Sequence, residues 1–367
     1  MSQYVRIEAP RGAAAAVKEL LKSILEKGRA EAVLVPAATP YSPLPMPTLI
    51  TDPAGIDDSA PLAPAAPFNA ARLAANLARR PTGHGLVMLL RPCELRALIE
   101  LVKLNQCALD DALVIGMDCH GRMENDRFLD LAGREADPTA AFLKDDRLRE
   151  EVTESCRGCD RFTPDGADLT VCLFGLDTGR EIGLSAGTEN GGRLLSDLGY
   201  KTGTEPQSRG AAVKDLLARR TEHRRASLDR VAAEIKDVEG FQKIVATCLN
   251  CYNCRVACPV CYCRECVFIT DVFSHEPEVY LRRARRKGRL KIPTETTMYH
   301  LTRLAHMSHA CVGCGQCSSA CPQGIPVADF FRAVADQTQA LFDYIPGLDP
   351  ARPIPYLAFE PPEGAEG

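Results

Sequence analysis

Two cysteine runs near the end of the chain restrict its possible folds more than any other feature. They read Cys248-x2-Cys251-x2-Cys254-x3-Cys258-Pro259 and Cys311-x2-Cys314-x2-Cys317-x3-Cys321-Pro322. Each has the spacing of the bacterial ferredoxin run that ligates a [4Fe–4S] cluster. Three closely spaced thiolates wrap three irons of one cubane. The fourth iron needs a thiolate from elsewhere, and in two-cluster ferredoxins the fourth cysteine of each run crosses to the other cluster. The expected ligand sets are therefore Cys248, Cys251, Cys254 and Cys321 for one cluster, and Cys311, Cys314, Cys317 and Cys258 for the other. The proline after each run turns the chain away, since its fixed φ and missing N–H stop a helix. Zinc suits this pattern badly, because it usually takes its four ligands from two separated pairs.

The chain has 367 residues, enough for two or three domains. Its seventeen cysteines are an odd number, mostly in close spacings, and Met1 to Pro10 has no apolar signal segment. Thiolate metal ligation in a reducing cytoplasm is thus expected rather than a disulfide framework. A net charge of −4 gives no argument for nucleic acid. No apolar run approaches the roughly 20 residues that span a bilayer.

Ahead of the cysteine runs the pattern is α/β. Tyr4 to Glu8 reads as a strand, Ala13 to Lys27 as a helix with Val17, Leu20, Leu21 and Ile24 on one face, and Ala32 to Val35 as a second strand. This βαβ opening is typical of a parallel sheet. Pro36 to Pro67 holds nine prolines and reads as an extended surface loop, which could lie over a cofactor. Asn69 caps a helix from Ala70 to Arg80. Gly85 to Leu90 is a buried strand. Pro92 then stands at the first position of a helix running through Glu94 to Leu104. Ala112 to Met117 is the next strand, followed by Asp118-Cys119-His120-Gly121. A helix over Thr139 to Val152, the pair Cys156-x2-Cys159, and a strand from Ala167 to Phe174 complete this part.

Cys93 and Cys119 both fall just beyond the carboxyl ends of strands, where open parallel sheets bind ligands. A thiolate at the Cys93 helix start is favoured by the helix dipole. Cys93, Cys119, Cys156 and Cys159 can therefore form a third tetrathiolate site. The alternative makes Cys93 and Cys119 small buried apolar residues. Between Gly179 and Tyr200, the residues Gly187, Thr188, Gly191, Gly192 and Arg193 could cradle a phosphate through backbone amides, or be simple turn glycines. Gly210 to Asp237 reads as a long, charged, solvated helix joining the two halves. Cys261, Cys263 and Cys266 exceed what two clusters require; a further metal, a substitute ligand for Cys258 and inert thiols all stay open. The basic run Arg282 to Lys291 reads as a solvated helix face. A histidine among His300, His306 and His309 close to a cluster could tune its potential. Val327 to Leu341 is a helix, and the Pro-rich end wraps a neighbour or frays.

Arg91-Pro92-Cys93-Glu94-Leu95-Arg96-Ala97, Leu101 to Gln106, Gly116-Met117-Asp118-Cys119-His120-Gly121, and Cys156-x2-Cys159 before Ala167-Asp168-Leu169 resemble the coenzyme F420 hydrogenase/dehydrogenase beta-subunit family, which includes formate dehydrogenase beta subunits. The resemblance covers roughly residues 83 to 200, and the dicluster module extends it to about 325. It implies FAD, a [4Fe–4S] cluster at Cys93, Cys119, Cys156 and Cys159, and hydride exchange with F420, NAD(P)H or another carrier. The N-terminal cluster motif of several family members is missing. The implied layout is an α/β (α+β) flavin and iron–sulfur domain over 1–205, a charged helical linker over 206–240, a mostly helical two-[4Fe–4S] ferredoxin-like domain over 241–345 with an insert at 267–310, and a Pro-rich tail over 346–367. Arg91, Lys103 and Thr188 are the candidate cofactor contacts, with surface charge as the plain alternative for the first two. The expected role is a cytoplasmic oxidoreductase subunit working with formate dehydrogenase, hydrogenase or heterodisulfide-reductase-like partners. The alternative is a flavin-free ferredoxin-type subunit that only connects catalytic partners.

Overall fold

The computed structural model describes residues 3–80, 83, 85–263, 265–270, 276–288 and 296–355. In chain order the first half runs β1 (Tyr4–Glu8), α1 (Ala13–Glu26), β2 (Ala32–Thr39), β3 (Ser42–Ile50), α2 (Ala71–Leu77), β4 (Leu86–Leu90), α3 (Pro92–Lys103), β5 (Ala112–Met117), α4 (Asn125–Ala132), α5 (Pro138–Lys144), α6 (Asp146–Glu150), α7 (Glu154–Arg157), β6 (Leu169–Cys172), β7 (Glu181–Ala186) and α8 (Glu189–Leu198). The second half is helical: α9 (Gln207–Glu234), α10 (Val238–Ile244), α11 (Asn253–Val256), α12 (Pro277–Lys287), α13 (Thr296–Met307), α14 (Gln316–Ser319) and α15 (Val327–Leu341).

The strands form one mixed sheet of seven in the order β1-β7-β6-β5-β4-β2-β3. Its centre, β2-β4-β5-β6, is parallel. These strands read as unbroken apolar runs because both faces are covered. Val87, Leu89, Ile115 and Val171 face one core with α1; Met88, Leu90 and Val114 face the other, which continues into the helical half. Gly116 must be glycine, because an added Cβ would stand 2.2 Å from Pro164 Cβ.

Several expectations are corrected. First, β1 does not lie beside β2. It pairs antiparallel with β7 at the opposite edge, Tyr4 facing Ser185 and Glu8 facing Glu181. β7 runs antiparallel to β6, so it offers β1 an edge that the parallel centre does not. Second, Pro36 to Pro67 is not a surface loop. It contains the end of β2, all of β3 and a 3-10 turn over Pro53–Asp58. Leu62, Ala63, Ala65 and Ala66 within it are buried. The prolines are tolerated because β3 is an edge strand. Pro36 and Pro47 sit opposite one another. Neither has an N–H, so theirs is a pair without mutual hydrogen bonds, and the polar groups of Pro47 point away from β2.

Thr139 to Val152 is also not one helix. It is α5 and α6, separated at Asp145, whose carboxylate accepts from the Arg147 N–H at 2.8 Å. α9 is more than a solvated connector. Arg209 and Arg220 on it are buried, and it packs along α15. Part of the Pro-rich end folds back on α3: the Tyr344 hydroxyl donates to Glu100 Oε1 at 2.6 Å, and the Gly347 N–H to the same oxygen at 2.8 Å. Residues 356–367 lie outside the described residues.

The two halves meet through arginines that serve backbone carbonyls. Arg96 donates to the Pro346 carbonyl at 2.8 Å. Arg332 reaches the carbonyls of Ser155 at 3.0 Å and Gly158 at 2.5 Å. Arg122 donates to Ser319 Oγ at 2.6 Å, and the Gln316 amide to the Ala66 carbonyl at 3.0 Å. A rigid guanidinium fork suits such multi-carbonyl contacts. The contact is close: at Gly315, with φ +77°, a Cβ would stand 2.5 Å from Ser155 Oγ.

Candidate functional site

The four N-terminal cysteines come from separate elements at the sheet's carboxyl edge. Cys93 is the second residue of α3, directly after β4. Cys119 follows β5, its N–H donating to the Phe162 carbonyl at 2.9 Å. Cys156 lies in α7, where its sulfur accepts from the Arg122 N–H at 3.4 Å, and Cys159 follows that turn. Burial pushes the Cys119 thiol up to about 12, helped by Cys156 and Cys159. The Cys93 thiol is raised well above its ordinary range by burial first, then by Glu94, Cys314, Cys119 and Cys156. Cys156 and Cys159 thus oppose the ionisation of Cys119.

The Cys311 run shows the same behaviour. Burial raises the Cys314 thiol to about 12, with Cys258 and Cys311 adding to the rise. Cys317 is raised well above its ordinary range by burial, and Cys314, Cys258 and Cys311 again contribute. Cys258 also contributes to the rise at Cys261, beside its own run. A metal reverses this logic, because its charge deprotonates a ligating thiol outright. Buried, mutually opposing thiols fit a cationic iron–sulfur core. Among the described residues, no three His, Cys, Asp or Glu side chains close on a single-ion site.

The Cys248 loop differs. Cys248 and Cys254 are buried, while Cys251 is exposed. Side chains of α13 surround them: Arg303 donates to Cys254 Sγ at 3.2 Å, and His300 Nε2 lies 3.4 Å from Cys248 Sγ. Cys321 packs against the same apolar cluster as Cys248 and Cys254, and α11 packs on α14. Of the three additional cysteines, Cys263 is exposed; Cys261 and Cys266 are half-buried. Burial raises Cys261 to about 11, with Cys258 contributing.

A cleft of about 670 Å³ opens beside Cys119 and Cys156, lined by His120, Arg157, Phe174, Arg219, Arg220 and others. It lies beyond the carboxyl ends of β5 and β6, with α9 as its outer wall. Burial, with Arg149 and Arg220 nearby, holds His120 neutral, its pKa lowered to about 3. Its ring meets Phe174 edge-on at 4.8 Å. Arg220 fixes the loop below, donating to the carbonyls of Cys119 at 3.3 Å and His120 at 2.6 Å. Asp118 is fully buried; it accepts from the N–H groups of Leu173 and Phe174 and pairs with Arg209.

The candidate cofactor contacts fall elsewhere. Arg91 donates to the carbonyls of Ala63 at 2.8 Å and Ala65 at 2.6 Å, and pairs with Glu94. The Lys103 ammonium lies between Glu100 and the Tyr344 hydroxyl. Neither lines the cleft at His120. Thr188 lines a second cleft of about 900 Å³ with Gly187, Gly192 and Arg193. Its hydroxyl donates to Asp168 Oδ1 at 2.6 Å and accepts from the Gly191 N–H, capping α8. The roles of Arg209, Arg220 and Arg303 were missed, since the first two sit in a charged stretch that reads as solvated and the third is a lone cation in its helix. The signal available was their position one helix away from a cysteine loop.

These features define an iron–sulfur protein, and a family model described as a 4Fe-4S dicluster domain matches residues 244–325. The rest of the chain has relatives too. The F420-dependent formate dehydrogenase subunit beta of Methanocaldococcus jannaschii is 27% identical, over 92% of this chain and 93% of that protein. The F420-dependent formate dehydrogenase 1 subunit beta of Methanococcus maripaludis is 26% identical, over 72% of this chain and 73% of that protein. A chain from the F420-reducing [NiFe] hydrogenase complex of Methanosarcina barkeri aligns with a TM-score of 0.46 at 13% identity, covering 65% of this chain and 94% of that one. The chain is thus similar along nearly its whole length to oxidoreductase beta subunits, as the motifs around Cys93 and Cys119 suggested. Among the described residues, no helix is long and apolar enough to cross a membrane.

Proposed function

We propose that this chain is the electron-relaying, flavin-bearing subunit of an oxidoreductase complex. In this reading Cys248, Cys251, Cys254 and Cys321 hold one [4Fe–4S] cluster, Cys311, Cys314, Cys317 and Cys258 a second, and Cys93, Cys119, Cys156 and Cys159 a third. The observation that supports it best is that Cys93, at the start of α3, and Cys314, in the dicluster module, pack against the same buried apolar cluster. A row of cysteine sets is what short electron hops between centres require.

The cleft at His120 is the proposed FAD site. Arg149, Arg157 and Arg219 are paired with Asp146, Glu154 and Asp215 and would exchange those carboxylates for the charge of a diphosphate, while the Phe174 and His120 rings provide an apolar wall. FAD bound there would supply the exchange between one-electron centres and a two-electron hydride carrier. F420 is the carrier that the relatives' names favour, with NAD(P)H as the other candidate. The catalytic partner would be a formate- or hydrogen-oxidising subunit. Iron and flavin analysis of anaerobically purified protein tests this. The expected result is about 12 irons and one flavin per chain. About 8 irons would remove the Cys93 site, and a chain without flavin would be a ferredoxin-type connector. Bleaching by reduced F420, NADH or NADPH, tried in turn, then names the carrier.

A further inference from the structure

The helix that follows residues 289–295, α13, presents three polar side chains to the Cys248 loop. Arg303 Nη1 donates to Cys254 Sγ at 3.2 Å, and its Nη2 donates to the Cys254 carbonyl at 3.2 Å. Tyr299 Oη lies 3.4 Å from Cys254 Sγ. His300 Nε2 lies 3.4 Å from Cys248 Sγ. All three residues are buried, Arg303 at 4% exposure.

Arg303 has an unusual balance of charge. Its guanidinium lies between aromatic rings, 4.6 Å from the centre of Phe331 and 5.8 Å from that of Tyr299. Among the described residues, no carboxylate forms an ion pair with it. The partners of its two Nη groups are Cys254 Sγ and the Cys254 carbonyl. A desolvated cation of this kind is strongly unfavourable unless an anion accompanies it, and here the anions are ligand sulfurs.

We infer that α13 is a potential-setting element, in which Arg303, with Tyr299 and His300, makes the cluster at the Cys248 loop easier to reduce than its cysteines alone would. Reduction adds negative charge to a cluster. Hydrogen bonds to its sulfurs and a buried cation stabilise that added charge, which raises the reduction potential. The three residues act through Cys248 and Cys254, so they are positioning residues. The inference rests on the ligand reading proposed above.

The test is an EPR-monitored redox titration of the full chain with its clusters. Arg303→Met should move the midpoint of one cluster to lower potential and leave the others in place. Tyr299→Phe should move the same signal in the same direction by less, and Arg303→Lys should return it part-way. Should Arg303→Met cost iron, Tyr299→Phe decides, since it removes one donor at nearly constant shape. Unmoved midpoints with full iron content would overturn the role of α13. Cys254→Ala separates the two layers of the argument. Full iron in that variant would overturn the ligand reading itself, whereas lost iron beside unmoved midpoints in the other variants would overturn only the tuning.

Discussion

The two halves of this molecule gather cysteines in different ways. In the helical half, the cysteines of one run are close along the chain, and a tight loop is enough to bring them together. In the α/β half, Cys93, Cys119 and the Cys156–Cys159 pair are separated by whole strands and helices. The order of β4 and β5 in the sheet brings Cys93 and Cys119 to one edge, and the contacts of Arg122 with Cys156 and of Cys119 with Phe162 hold the Cys156–Cys159 loop there. The local sets depend little on the rest of the fold, and the sheet-edge set depends on all of it. Their surroundings follow suit. The Cys248 loop is served by side chains of one helix, whereas the sheet-edge loops are held by arginines from α9 and α15, far along the chain.

The largest expected effect separates the two modes directly. Cys93→Ala should lose about 4 irons and retain the remaining clusters, whereas Cys314→Ala should lose iron from the dicluster module; iron analysis and EPR of each variant read the outcome. Equal loss in both would show that the sheet-edge set cannot stand apart from its neighbour.

Next in size is a break in the support of the sheet edge. Asp118→Asn leaves Arg209 buried without its main partner, since Glu205, its other one, is half-exposed. Removing one member of a buried pair costs about 3 kcal/mol or more. Denaturant unfolding followed by strand circular dichroism should show it, with the dicluster iron content unchanged.

The smallest effect lies at the seam between the halves. Burial raises the carboxyl of Asp329 on α15, with Glu154 adding to the rise. An acid whose folded pKa is raised binds its proton more readily in the folded state, so it begins to oppose folding as pH rises past its unfolded value and does so fully above the folded one. Asp329→Asn should therefore raise the melting temperature at pH 7. The gain should vanish as pH falls below the ordinary aspartate range, and a gain that grows in acid would reverse this assignment.

What was legible in the sequence follows the same division. The dicluster runs were readable because their ligand spacing is local. The strands β4 and β5 and the helix start at Pro92 were readable from unbroken apolar runs and a helix-initiating proline. The place of β1 was not, because a strand's own residues do not say which edge it will pair with. β3 was missed because its prolines read as breakers, and only an edge position makes them acceptable. α9 read as solvated because its arginines look the same in sequence whether they meet water or carbonyls. Arg303 was hidden for the same reason: a single cation in the helix before Cys311 shows nothing of the sulfur that it faces.

The proline strand has one more consequence. An open sheet edge normally invites another chain to add a strand, and proteins guard against that. On β3, the outward-facing position at Pro47 carries a carbonyl but no donor, and Pro45, two residues before it, also lacks one. An incoming strand would find acceptors without matching donors there. The edge thus closes one route to self-association by strand addition.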